Sequence, residues 1–166
     1  MKSPTESTMR IAVASDHAGF AVKKNLVPAL RAKSFSVTDK GIFSDEPTDY
    51  PDLAAKVAQA VNQGQAARGI LICGSGVGVC AAANKFPGIR AAICHDCYSA
   101  KQGVEHDDMN VLCLGSRVLG FELLHEIVMT FLDARFSGEN RHRRRLEKLK
   151  KLEKQNMNSD CFRKRY

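Results

Sequence analysis

Ile70-Leu71-Ile72-Cys73-Gly74-Ser75-Gly76-Val77-Gly78 is the stretch that decides the fold. Its apolar run reads as a strand buried on both faces, and the glycine-spaced turn ends it. Val79 to Asn84 then suits a helix. Strand, glycine turn, helix is the arrangement by which α/β proteins hold an anion. Glycines at 74, 76 and 78 let backbone N–H groups converge on a ligand with no Cβ in the way. The turn is not a P-loop, because no Gly-Lys-Ser/Thr follows. Nor is it a full dinucleotide fingerprint, because Val79 stands where that pattern wants Gly. It also lacks the spacing of the hydrolase elbow. Cys73 gives the turn its interest. A thiol at the rim of a cradle for negative charge is a candidate base or nucleophile.

Strand–helix alternation continues on both sides of this unit. Arg10 to Ser15 reads as a buried strand, followed by helix-like sequence from Ala18 to about Lys33. Phe35 to Lys40 is a weaker strand. A turn-rich loop over 44–51 leads to a helix from Asp52 to about Gln63, with Pro51-Asp52 suiting its first turn. Gly69–Cys73, Arg90–Cys94 and Asn110–Leu114 read as strands three to five. Two helices follow, Phe121 to Phe136 and Arg141 to about Lys154, the last with a stripe of Leu146, Leu149 and Leu152. The pattern predicts an α/β fold: a Rossmann-like αβα sandwich with a five-stranded parallel sheet and an extended C-terminal helix. Ligands of such sheets bind at the carboxyl ends of strands. That rule gathers Asp16-His17, Cys73 with its glycines, His95-Asp96 and Ser116-Arg117.

At 166 residues the chain is read as one domain over 1–154, with a disordered extension at 1–8 and a basic tail at 155–166. No apolar run approaches the ~20 residues of a membrane span, and the polar N-terminus lacks a signal core. A cytoplasmic location follows, with the six cysteines as thiols. The net charge of +7 is a C-terminal feature: residues 141–166 hold 11 Lys/Arg against 3 Asp/Glu, and residues 1–140 hold 14 against 15. Nucleic-acid binding is one reading of that segment, and a solvated helix with a frayed tail is the other. Plain readings exist elsewhere too. Asp16 suits a helix N-cap, and His106 sits in the polar stretch Glu105-His106-Asp107-Asp108 before strand five. Cys94-His95-Asp96-Cys97 is a weak zinc signal without a second pair. Cys80 and Cys113 read as small buried hydrophobes.

Several blocks in order resemble one family. They are Ser15-Asp16-His17-Ala18-Gly19-Phe20, Thr48-Asp49-Tyr50-Pro51-Asp52, Cys73 to Gly78, Ala82-Ala83-Asn84-Lys85, His106 with Asn110-Val111-Leu112, Gly115-Ser116-Arg117, and Arg141-His142 with Arg145. Together they are similar to the type B ribose-5-phosphate isomerases, of the ribose/galactose-6-phosphate isomerase superfamily, over about Arg10 to Leu152. The resemblance implies interconversion of ribose 5-phosphate and ribulose 5-phosphate through a cis-enediol, with no metal or organic cofactor. It implies Cys73 as the base, Ser75 at the O1/O2 edge, and His106 with Asp16 opening the furanose ring. Arg141, Arg145, Arg117 and His17 would hold the phosphate, Tyr50 would line the sugar pocket, and the Gly74–Gly78 turn, with Gly76 and Val77, would meet the enediolate oxygen. A thiol's ordinary pKa of ~8.5 lies closer to neutrality than a carboxylate's, which suits two-way proton transfer.

The resemblance further implies a homodimer, with dimer and tetramer both left open as the final assembly. His106, Asp107 and Arg117 would then come from the neighbour of the chain that supplies Asp16, His17, Cys73 and the C-terminal arginines. One position departs from the pattern: Asp107 stands where the family usually has Asn. An ionised Asp only accepts hydrogen bonds, where Asn also donates. Six-carbon substrates such as allose or galactose 6-phosphate are alternatives. A noncatalytic phosphometabolite- or nucleic-acid-binding module is the rival class, but such a binder needs none of Cys73, His106 and Asp16.

Overall fold

The computed structural model describes residues 8–157. Five strands form one all-parallel sheet: β1 (Arg10–Ser15), β2 (Ser36–Asp39), β3 (Arg68–Cys73), β4 (Ala91–Ile93) and β5 (Val111–Gly115), in the order β2-β1-β3-β5-β4. Helices α1 (Phe20–Ala32), α2 (Tyr50–Asn62), α3 (Val77–Ala83), α4 (Cys97–Asp107) and α5 (Phe121–Asp133) connect and cover it. The extended helix α6 (Asn140–Met157) follows. The expected fold class is the observed one. The expected disorder at 1–8 falls almost wholly outside the described residues, as does the tail from 158 onward.

The two-residue period of the central strands sorts their side chains between two cores. Ile11, Val13, Ile70, Ile72, Leu112 and Leu114 face one layer. There they meet Leu26 and Leu30 of α1, Val104 of α4, and Leu124, Ile127 and Phe131 of α5. Ala12, Ala14, Leu71, Cys73, Val111 and Cys113 face the other layer, against Leu53 and Val57 of α2 and Val79 and Ala83 of α3. The alanines of β1 let α2 lie close on that face. Burial on both faces explains why β1, β3 and β5 read as near-continuous apolar runs.

α4 is the element the sequence reading lacks. The stretch Glu105–Asp108, read as a polar connection, is the C-terminal end of this helix. Only Ala100 and Val104 are buried on it, four residues apart, so its apolar stripe is minimal. Its start was signalled by Asp96, whose carboxylate accepts from the Ser99 N–H at 2.7 Å. α5 also stops earlier than expected, at Asp133. In the connection to α6, Ser137 donates its N–H to the Glu105 carbonyl.

A buried cation fixes the loop after β2. Lys23 of α1 is 1% exposed. Its Nζ contacts both Asp39 carboxylate oxygens, at 2.6 and 2.5 Å, and the Ile42 carbonyl at 2.7 Å. This neutralises a lysine that sequence patterning would send to solvent, and it ties down the segment leading to Tyr50. Among the described residues no helix is long and apolar enough to cross a membrane.

Candidate active site

β2 lies on one side of β1 and β3 on the other, so the chain reverses direction across the sheet between β1 and β3. A crevice opens at the carboxyl ends of such strands. It is a cleft of about 410 Å³ lined by Asp16, His17, Tyr50, Cys73, Ser75 and Arg117, with Gly74 and Gly78 in its wall. Asp16 and Cys73 are buried, at 7% and 5% exposure, whereas His17 and Ser75 stand open to solvent.

Each side chain is placed by local backbone. Asp16 is not the N-cap of α1, which is Gly19. Its carboxylate instead accepts the Gly19 N–H at 3.0 Å, closing the turn between β1 and α1. His17 Nδ1 accepts from the Thr48 N–H at 3.4 Å, so the loop before α2 orients the ring. Gly76 adopts φ +83° and donates its N–H to Cys73 Sγ at 3.0 Å. The Val77 N–H donates to Ser75 Oγ at 3.3 Å. Two amides of the turn are thus directed at the thiol and the hydroxyl, rather than all of them at an incoming anion. The Tyr50 ring lies against Gly78, where a Cβ would come within 2.9 Å of it.

Ser116 binds the three strand ends together. Its hydroxyl lies 2.8 Å from the Ala18 carbonyl and 3.1 Å from that of Cys73, and its N–H donates to the Cys73 carbonyl at 2.8 Å. The Arg117 N–H donates to the Gly74 carbonyl at 3.0 Å, which brings the guanidinium stem alongside Gly74. Arg117 therefore lines the cleft of the chain that supplies Cys73. The resemblance had implied that it comes from the neighbour, and here the structure corrects that division.

The other half of the expected site forms a second cluster. His106, Asp107, Arg141 and Arg145 do not line the cleft. The His106 ring lies against His142 with centroids 4.1 Å apart, at the start of α6. His142 is buried, and its Nδ1 is 2.7 Å from Ser137 Oγ. Burial, and then the adjoining His106, Arg141 and Arg145, lower its pKa. Arg141 pairs with Glu139 at 2.8 Å on an exposed surface. The C-terminal arginines thus sit with His106, not with Cys73 as the resemblance implied. Asp107 lies on the rim of a second cavity of about 360 Å³ between the end of α4, β4 and α6, which Leu146 and Leu149 also line.

The remaining thiols and the weak metal motif are also placed. The five described cysteines are free. Cys113 is buried as expected, but Cys80 is only partly buried and hydrogen-bonds to its neighbours. The hydrogen bond with Cys113 brings the Cys80 thiol down to about 7, against the opposing effect of burial. Burial first, then Asp96, pushes Cys94 up to about 11. Among the described residues no group of His, Cys, Asp and Glu is placed to hold a metal, so Cys94–Cys97 makes no site.

A thiol, a carboxylate, an imidazole and a guanidinium around a small polar cleft suit proton transfer on a phosphorylated substrate. Comparison with known proteins agrees. A family model described as Ribose/Galactose Isomerase matches residues 11–149. The chain is 48% identical to ribose-5-phosphate isomerase B of Escherichia coli (strain K12), over 87% of this chain and 96% of the relative. The structure of Clostridium thermocellum ribose-5-phosphate isomerase B superposes with a TM-score of 0.87 at 45% identity, covering 89% of this chain and 99% of that one. That of ribose-5-phosphate isomerase B from Mycoplasma genitalium, with bound ribulose-5-phosphate, gives a TM-score of 0.84 at 43% identity, covering 90% and 99%. With the sheet order, the thiol-bearing cleft and nearly full-length similarity in agreement, the chain belongs to the ribose/galactose isomerase family.

Proposed function

We propose that the chain is an aldose–ketose isomerase interconverting D-ribose 5-phosphate and D-ribulose 5-phosphate, with Cys73 as the base. One observation carries the assignment to Cys73: its sulfur is fixed by the Gly76 N–H at 3.0 Å in a cleft whose other walls hold Asp16, His17 and Arg117. Cys73 takes the C2 proton of the open-chain aldose and returns it to C1. Charge developing on the enediolate oxygens is met by the Ser75 hydroxyl and by backbone N–H groups of the Gly74–Gly78 turn. Arg117 and His17 take the phosphate end, where a guanidinium can engage two oxygens at once. No step calls on a metal or organic cofactor.

His106 and Asp16 serve ring opening in this reading. Because His106, Asp107, Arg141 and Arg145 cluster on a different part of the chain from Cys73, they reach the substrate from a second copy across a two-fold axis. That copy's arginines complete the phosphate site and its His106 faces the ring oxygen. The similarity to relatives that carry the activity in their names supports ribose 5-phosphate over six-carbon sugars and over a purely binding role.

A coupled assay of ribose 5-phosphate turnover tests the activity, and deuterium uptake from D2O into ribulose 5-phosphate tests the base. Cys73→Ala abolishes both while retaining binding of the phosphosugar by calorimetry. Near-normal turnover in that variant would remove Cys73 from the mechanism.

A further inference from the structure

We infer that Arg90 is a positioning residue that acts through His106, a role that rests on the assignment of His106 above. Arg90 stands just before β4, on the turn that faces the C-terminal end of α4. Its Nε donates to the carbonyls of Asp107 at 3.0 Å and Asp108 at 2.7 Å. Its Nη2 contacts the Asp108 carboxylate at 2.6 Å, and its Nη1 donates to the Gly88 carbonyl at 3.1 Å. One guanidinium therefore engages the two residues that follow His106 and the turn beside them.

The chemistry of a helix end explains why this matters. The last carbonyls of a helix have no partner within it, and a cation there also meets the negative end of the helix dipole. α4 is capped by Asp108 at φ +51°, a left-handed conformation that aspartate adopts more readily than most side chains but that still gains from contacts that hold it. The Arg90 contacts to the Asp108 carbonyl and carboxylate do so. The turn that carries Arg90 is itself held. The Gly88 N–H donates to the Glu153 carboxylate of α6 at 2.8 Å. Asn110 accepts the Arg90 N–H at 2.8 Å and donates to the Gly88 carbonyl at 2.9 Å. His106 is thus bracketed between the His142 ring and a helix end that Arg90 closes. Lysine at position 90 would keep the charge, but a single ammonium cannot span these acceptors as the planar fork does.

The test uses two substrates that differ in their need for ring opening. Ribose 5-phosphate enters as a furanose. Ribulose 5-phosphate stays open-chain, because its C5 oxygen is phosphorylated and cannot close on C2. Steady-state turnover of the aldose and deuterium uptake into the ketose are measured for the native enzyme, Arg90→Met, His106→Asn and the double variant. A displaced His106 lowers kcat on the aldose by roughly 10²-fold, since small misplacements of a reacting group cost about that much. Arg90→Met shows the same split between turnover and exchange as His106→Asn. The double variant is no slower than His106→Asn alone, because the residue through which Arg90 acts is already gone. Arg90→Lys falls between native and Arg90→Met, and it carries the same comparison if Arg90→Met does not fold. Losses that multiply in the double variant, or a split unlike that of His106→Asn, overturn the role of Arg90. Equal losses of turnover and exchange in His106→Asn would instead refute ring opening as the step of His106. The double-variant comparison would still decide whether Arg90 acts through it.

Discussion

Gly76 and Gly64 offer a controlled pair for testing how the thiol is held. Both adopt left-handed backbone, at φ +83° and +67°. Alanine in that conformation costs roughly 1–2 kcal/mol at either site. Their surroundings differ. A Cβ at Gly64 would meet nothing within 4 Å, so Gly64→Ala shows only the conformational cost. A Cβ at Gly76 would come within 3.2 Å of the Leu114 carbonyl carbon and 3.4 Å of the Gly115 nitrogen. These are backbone atoms of β5 at positions paired with Ile72 and Cys73 of β3, and they cannot move aside as a side chain would. Overpacking of this kind adds about 1–3 kcal/mol, for roughly 2–5 kcal/mol in all. The displaced Gly76 N–H also leaves Cys73 Sγ. Urea unfolding of both variants, with ribose 5-phosphate kinetics, measures the two effects. Gly64→Ala loses about 1–2 kcal/mol and keeps native kcat; Gly76→Ala loses more and its kcat falls steeply. Equal stability losses, or native turnover in Gly76→Ala, would refute the argument that this backbone conformation positions the Cys73 thiol for the proposed reaction.

Two further outcomes follow from side-chain chemistry. Asp107→Asn leaves kcat intact or lowers KM if, as proposed, a second copy brings this residue to the phosphosugar, because it removes a negative charge there; a large fall in kcat in steady-state assays would give the carboxylate a task of its own. Cys80, at about 7, is largely thiolate at pH 8 and becomes protonated as pH falls through 7, whereas Cys94, at about 11, stays protonated throughout. Iodoacetamide at pH 8 followed by peptide mass spectrometry therefore labels Cys80 well ahead of Cys94, and labelling of Cys94 at an equal rate would contradict the assigned environments.

The sheet was legible because β1, β3 and β5 are buried on both faces and carry that burial as unbroken apolar runs. The cleft was legible in part. Asp16, His17, Cys73, Ser75 and Arg117 all follow strand ends, and the rule that ligands bind there collects them without further knowledge. α4 was not legible. Ala100 and Val104 alone give it no periodic signal, and Gly103 weakens what there is. The burial of Lys23 was equally hidden, since its partner Asp39 is sixteen residues away and no helix pattern points to it. The division of site residues between two clusters depends on where α4 and the start of α6 meet. That is a tertiary fact with no local mark in either segment.

The separation of Cys73 from His106 has a genetic consequence. In the two-fold pair proposed above, each reaction centre draws Cys73 from one polypeptide and His106 from the other. A chain damaged at Cys73 still exports a sound His106, and a chain damaged at His106 still hosts a sound Cys73. Two inactive alleles therefore rescue one another when their products mix: every mixed pair regains one intact centre and loses the other entirely. Random pairing of equal amounts gives about a quarter of native activity from two proteins that have none alone. A chain whose Cys73 and His106 shared one cleft could never show that rescue.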